Sequence, residues 1–462
     1  MEPKLEFYPE HPSDVKTHKI ETTDMPILKQ TAPFEAKKLC DEFAANEEAF
    51  YEKYVDKRFE VTGIATKIGP DIHNKPSIEL SDEAGGKTYA LLIFPTNDHY
   101  SKVKVGDKVT VRANYLVMSN WYGTVMKHSE LVGADKNERV TLDYPLFDGH
   151  KLHENARVVI ENGSIKSVTQ TEKSDSRYFL MPGLIDAHAH MDNMTQVEQM
   201  LKNGVVGACD VSSDKVFAES LKQFEIVRSA GICMGALCGK AYVKNAMKNG
   251  AKYIKVLLAE PNLMLKKVFM DICDTAHKNQ LKVAVHATSV KAVELSVECG
   301  VDILIHVPMK EEFPKGLAKT IADKGIVSAP TLVMMKAFAM SGRNGYKPEH
   351  FGNAKNAVKL LHTSGVKILV ATDANNGSFA PAVKYGSSMH EEMMLLAESG
   401  LSPLEVLKAA TSNVAKVFSL DSIGEIAVGK KANLLLVEGH PSESISDISK
   451  VKQVYIDGNA IL

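Results

Sequence analysis

Residues 183–190 read GLIDAHAH, an apolar run that ends in two histidines separated by one alanine. The run is too short for an ordinary helix and reads as a buried strand. Side chains two apart on a strand share a face, so Asp186, His188 and His190 point one way while Ala187 and Ala189 point the other. Two imidazoles placed like this can grip one metal ion. With 16 histidines in 462 residues, an H-x-H pair alone says little. Its place in a longer series says more.

That series alternates strand with helix. After 183–190 come the strand-like stretches GVVGACDVS (204–212), GICMGAL (231–237), AKYIKVLL (251–258) and KVAVHAT (282–288). VDILIHV (301–307), GIVSAPTLVMM (325–335) and VKILVATDA (366–374) follow. Helical patterns intervene, among them KVFMDICDTAHKN (267–279), VKAVELSVECG (290–300) and NAVKLLHTSG (356–365). Gly231, Gly250, Gly300 and Gly365 are read as helix-closing glycines. Eight such units in series predict an α/β fold of the (β/α)8 barrel type, a TIM barrel. Its chemistry gathers at the carboxyl ends of the strands.

The residues at those ends form a pattern. The fourth strand contributes Lys255, the fifth His286, the sixth His306 and the eighth Asp373. A lone histidine on an apolar strand is ordinarily a satisfied core residue, and an Asp after Ala-Thr can equally cap the next turn. Five such coincidences on one rim favour a shared site. An ammonium at Lys255 would cost several kcal/mol to bury and would repel any cation held by the histidines. A neutral amine can instead add carbon dioxide, giving a carbamate (N6-carboxylysine) able to bridge two divalent ions. His188, His190 and Asp373 would hold one ion, His286 and His306 the other. Imidazole with carboxylate suits zinc best, with manganese or cobalt as alternatives.

PGLIDAHAHMD (182–192), NGAKYIKVLL (249–258), KVAVHAT (282–288), DILIHV (302–307) and ILVATDA (368–374) together resemble the amidohydrolase superfamily, in its carboxylated-lysine binuclear branch. HEEMMLLAESGLSPLEVLKAATSNVAKVF (390–418) and IGEIAVGKKANLLLVEG (423–439) resemble its imidazolonepropionase-like and dipeptidase relatives. The resemblance runs from near residue 140 to the end. It implies that His188, His190, Lys255, His286, His306 and Asp373 are metal ligands and that Asp373 is the proton shuttle. It also implies hydrolysis of a C–N bond in an amide, peptide or cyclic amide by a hydroxide bridging a binuclear centre. Relatives often carry a polar residue, commonly Tyr, shortly after the fifth-strand histidine; Thr288 stands two beyond it here, with Tyr253 as a candidate substitute. The loops 335–351 and 375–392 are expected to select substrate, and His390 to be structural. A rival within the superfamily is a mononuclear deaminase using His188, His190, His286 and Asp373 with Lys255 unmodified.

The rest of the chain has other textures. Residues 1–35 are polar and Pro-punctuated, a tail. A helical stretch at 34–57 precedes five strand-like segments at 58–68, 76–82, 87–95, 107–118 and 122–132. Helix plus five strands resembles the OB-fold, of the kind related to tRNA-anticodon-binding modules. Two turn dipeptides, Asn162-Gly163 and Asp457-Gly458, each mark a hairpin. The expected organisation is a tail 1–35, an OB-fold-like domain 36–136, a composite β-sandwich from 137–178 and 420–462, and the barrel 179–419.

Composition bounds the partners. The formal charge of −2 gives no basic footprint for duplex nucleic acid or anionic membrane. Within 36–135 acid and base nearly balance, with Tyr100, Trp121 and Tyr122 as the stacking candidates, so an OB-domain nucleic-acid or protein-binding module on a barrel scaffold is the minority reading. Six dispersed cysteines argue against a disulfide framework and for a reducing compartment. No run approaches the roughly 18–20 apolar residues of a membrane span, and the first residues lack a signal peptide's pattern. A cytoplasmic enzyme with a small-molecule amide or peptide substrate is expected, with a homo-oligomer left open.

Overall fold

The computed structural model describes residues 25–461 apart from positions 31, 84, 97–99, 101–102, 136–138, 174–175, 212, 222, 235–237 and 262. The expected tail therefore lies largely outside the described residues. Two compact units divide the chain, Met1–Glu138 and Arg139–Leu462.

Asn46 sets the local course at the start of the first unit. The helical pattern expected across 34–57 is broken there, because Asn46 is extended and closes helix Ala36–Ala45. Its side chain then accepts the Ala49 backbone N–H and starts a second helix, Glu47–Tyr54. Five strands follow: Arg58–Pro70, Pro76–Ser81, Ala90–Ile93, Lys108–Ser119 and Gly123–Asp135. The first pairs with the second and fourth, the third with the second and fifth, and the fourth with the fifth. The sheet thus closes on itself as the expected OB-like barrel. Phe59, Val61, Ile78, Leu80, Leu92, Val109 and Val111 fill it, with Leu39, Phe50 and Tyr54 packed in from the helices. Most aromatic side chains of this unit serve its own core, whereas Trp121 is 86% exposed.

The second unit opens and closes with strands of one sheet. Tyr178–Pro182 joins Val140–Phe147 on one side and Leu434–Glu438 on the other, so distant ends of the chain share a seven-stranded sheet. Asn162 and Gly163 (φ 51° and 75°) and Asp457 and Gly458 (φ 47° and 74°) turn its hairpins, the left-handed pairs that favour Asn/Asp-Gly.

Between these strands lies the (β/α)8 barrel. Its first, second, fourth, fifth, sixth and seventh strands are Leu184–Ala189, Val205–Asp210, Tyr253–Leu258, Lys282–Ala287, Ile303–Ile305 and Val327–Ala329. The third differs from expectation. It begins at 225, not 231, and is broken: Glu225–Arg228 pairs with the second strand and Ile232–Met234 with the fourth. Ala230 and Gly231, at φ 57° and 110°, turn the chain between the pieces, so Gly231 serves a strand break instead of a helix end. The four residues EIVR carry too little apolar alternation to announce a strand. The eighth strand is held by bridges, Ser328 to Ile368 and Ala189 to Ala374, which close the ring.

Asp186 is the joint of that closure. It is fully buried and accepts the backbone N–H groups of His188 at 3.1 Å and Thr372 at 3.0 Å, plus the Thr372 hydroxyl at 2.5 Å. The period of the strand assigns it to the histidine face; the structure gives it to the first-to-eighth strand seam. Cys233 and Cys238 are brought side by side, with their Cα atoms 5.8 Å apart. No helix among the described residues is long and apolar enough to cross a membrane.

Gly183 admits the first barrel strand to this packing, since a Cβ there would collide with the Val206 side chain. Gly183→Ala is expected to cost about 1–3 kcal/mol through overpacking. Urea denaturation of the metal-free protein, followed by barrel-specific hydrogen exchange, measures it; an unchanged midpoint would contradict this packing.

Candidate metal centre

Five strands deliver the six predicted side chains to the barrel mouth. His188 and His190 stand at and just beyond the end of the first strand, and Lys255 lies within the fourth. His286 ends the fifth strand's ladder against Ile305, and His306 follows the sixth strand directly. Asp373 sits on the eighth, its N–H donating to the His188 carbonyl at 2.8 Å. His306 and Asp373 both have positive φ, 71° and 59°. For such residues this region is sparsely populated and costs about 1–2 kcal/mol, so the surrounding structure must hold them there.

The six side chains meet. Asp373 Oδ1 lies 3.0 Å from His190 Nε2 and 3.3 Å from His188 Nε2, and its Oδ2 lies 4.0 Å from His306 Nε2. Lys255 Nζ is 3.3 Å from His188 Nε2. The rings of His286 and His306 are 4.4 Å apart. Donor atoms of His188, His306 and Asp373 all fall within 4.8 Å of one another, and the three residues are buried.

Burial dictates the electrostatics. It pushes the His188 imidazole down to about 3, helped by the Lys255 charge, and the His286 imidazole down to about 4 for the same reasons. His306 is driven well below its ordinary value by burial and then by His286. Burial also brings the Lys255 ammonium down to about 7, opposed by Asp373. Burial alone would raise the Asp373 carboxyl, but the neighbouring rings of His188, His190 and His306 outweigh it and hold it well below the usual carboxylate range. At neutral pH the imidazoles of His188, His286 and His306 are therefore neutral beside an ionised carboxylate, the state divalent metal binding requires.

An unmet polar atom points the same way. Asp373 Oδ1 takes no well-formed hydrogen bond despite the two nearby ring nitrogens. An acceptor oxygen facing ring nitrogens, beside a deprotonable lysine, is a donor set that a divalent ion would satisfy. The residues fit the metals that the sequence pattern implies.

Supporting residues leave no local mark in the sequence. Asp210 accepts the backbone N–H groups of Met191 at 2.5 Å and Ser213 at 2.6 Å, fixing the turn after His190. The Tyr385 hydroxyl donates to the His190 carbonyl at 2.6 Å. Thr331 Oγ1 meets His306 Nδ1 at 2.6 Å. Glu392, fully buried, accepts the N–H groups of Leu332 at 2.8 Å and Val333 at 2.7 Å, while burial pushes its carboxyl up to about 8. Most of these contacts span long sequence separations, and no period marks them. Tyr253 is committed to packing, its hydroxyl donating to the Asp210 carbonyl at 3.2 Å. His390 lies 2.9 Å from the Asn203 carbonyl, away from the cluster.

Comparison with known proteins places the barrel in a family. Residues 179–461 match the amidohydrolase family, and residues 10–129 match the tRNA_anti-like family. The chain is 24% identical over 232 residues to an ochratoxinase of Aspergillus niger, a match covering 46% of each, so it spans about half the length of that relative. It is 23% identical over 393 residues to an imidazolonepropionase of Thermoplasma volcanium, covering 67% of this chain and 91% of the relative. Among solved structures, a Xaa-Pro dipeptidase with methionine bound in its active site superposes with a TM-score of 0.60 at 19% identity. That superposition covers 70% of this chain and 99% of the dipeptidase.

The Lys255 environment has a measurable consequence in the metal-free protein. Its folded pKa is lowered to about 7 from 10.5, so between those values the unfolded chain holds a proton that the folded chain lacks. Stability contributed by this site therefore rises with pH through that window. From pH 7 to pH 9 the wild type is expected to gain about 2 kcal/mol more than Lys255→Met. Parallel denaturation curves for the two proteins would contradict the buried amine.

Proposed function

As the chain belongs to the amidohydrolase family, we propose that it hydrolyses the C–N bond of an amide, peptide or cyclic amide, using two divalent ions held at the barrel mouth. The observation that carries this reading is Lys255, an amine buried 3.3 Å from His188 with its pKa brought to about 7. Lys255, once carboxylated, would hold the ions together with His188, His190 and Asp373 on one side and His286 and His306 on the other. Zinc suits this donor set best, with manganese or cobalt as alternatives. When bound, the pair supplies Lewis acidity that makes water a nucleophile at neutral pH and polarises the carbonyl under attack.

The chain's own residues do the rest. Asp373, ionised and buried, takes the proton from the attacking water and passes it to the departing nitrogen. His188 and His306, 1% and 3% exposed, keep the mouth's floor free of bulk solvent, which strengthens every charge interaction there. Burial raises the Tyr346 phenol, in the segment after the seventh strand, and the neighbouring Thr288, just beyond His286, opposes that rise. A phenol thus stands beside the fifth strand although the strand itself carries none. Phe379, in the loop after the eighth, lies with its ring 4.7 Å from that of His190 and borders the entrance. These two loops select the substrate. We assign the hydrolytic machinery to residues 179–419.

Metal analysis combined with a substrate panel tests the reading. Two ions per chain are expected, with turnover on some member of a set of N-acyl amino acids, dipeptides, cyclic amides and lactones. One ion per chain with ammonia release would instead favour the mononuclear deaminase. Lys255→Ala is expected to lose the second ion and turnover, with partial rescue by a short carboxylic acid; unchanged turnover would end the bridging role. Asp373→Asn is expected to stay folded and slow by about 100-fold or more, and near-normal rates would remove its proton transfer.

A further inference from the structure

We propose that Glu392 is a positioning residue for His306, acting through Thr331. The helix Leu332–Ser341 begins directly after Thr331, which occupies its N-cap position. An N-cap threonine ordinarily turns its hydroxyl onto the free N–H groups of its own helix. Thr331 does not: no side-chain cap bond forms, and Oγ1 lies 2.6 Å from His306 Nδ1. Thr331 also holds φ 51°, ψ 50°, a left-handed conformation unfavourable for a β-branched residue.

Glu392 supplies what Thr331 gives up. It comes from helix Ser387–Glu398, some 60 positions away, and its two oxygens accept the first N–H groups of the helix, Leu332 at 2.8 Å and Val333 at 2.7 Å. With those donors met, the threonine hydroxyl is released to the histidine. His306 Nδ1 and Thr331 Oγ1 stand 2.6 Å apart, and with the hydroxyl as acceptor the Nε2 lone pair is left facing Asp373, 4.0 Å away. A fully buried polar carboxyl group is costly to keep unless something is gained by it. A threonine capping its own helix would spare that burial but leave His306 without a partner.

This rests on the reading of His306 as a metal ligand, yet its test does not need metal. In metal-free protein carrying 15N-histidine, long-range 1H–15N spectra report which ring nitrogen holds the proton, and His306→Gln assigns the signal. The wild type is expected to show a single Nδ1–H tautomer at His306. Glu392→Gln leaves one helix N–H without an acceptor, draws the Thr331 hydroxyl back to its own helix, and should give a mixture of tautomers. Thr331→Val should give the same mixture. Zinc affinity, measured by chelator competition, is expected to fall about 10- to 100-fold in either variant. The double variant should lose no more than the worse single one, because both act on one hydrogen bond. A folded Glu392→Gln that keeps the single Nδ1–H tautomer would overturn the proposal, as would additive losses of zinc affinity. If the tautomers shift as expected while no amide is cleaved, the positioning role stands and the hydrolase reading fails.

Discussion

The burial of one amine governs the rest of this structure. Lys255 sits 2% exposed on a strand whose neighbours are Ile254 and Val256, both without access to solvent. Lowering its pKa from 10.5 to about 7 corresponds to about 5 kcal/mol against the charged form, a large part of the 5–15 kcal/mol that holds a typical domain together. A fold can carry that cost only where the amine is useful in its neutral state. The same dry environment keeps the imidazoles of His188, His286 and His306 neutral, so one physical cause prepares both the lysine and the histidines.

The barrel accepts strain to bring these groups together. His306, Thr331 and Asp373 all have left-handed backbone conformations, each at the end of a different strand. What holds them is a set of buried polar contacts with little surplus: Asp186 across the closing seam, Asp210 under the turn after His190, and Glu392 on the helix that follows Thr331. Each of these carboxyls is buried and has its ordinary pKa raised by burial, with backbone N–H groups opposing the rise. The site is thus a ring of imidazole, amine and carboxylate groups supported from beneath by buried carboxyl groups that serve the backbone.

Much of this is legible in the chain, for reasons that can be named. A strand's period of two puts His188 and His190 on one face, and a parallel barrel sends every strand's last residues to one end, so His286, His306 and Asp373 can be aligned without coordinates. The dipeptides Asn162-Gly163 and Asp457-Gly458 announce their hairpins because few other pairs accept two consecutive positive φ values. The third barrel strand escapes a reading by period because Glu225–Arg228 is short and half polar, and its break at Ala230 depends on pairing to two different neighbours. Asn46 looks like one more helical residue, since its capping role shows only in the backbone angle. Asp186 shares a face with the histidines by period, but depth along the strand, which spacing does not encode, gives it to Thr372.

The central claim is that Lys255 works as a carbamate between two cations. Zinc-loaded protein equilibrated with 13C-labelled carbon dioxide tests it directly by carbon NMR. The account predicts a slowly exchanging carbamate resonance in the wild type that is missing from Lys255→Met. A wild type fully loaded with zinc and lacking that resonance would contradict it.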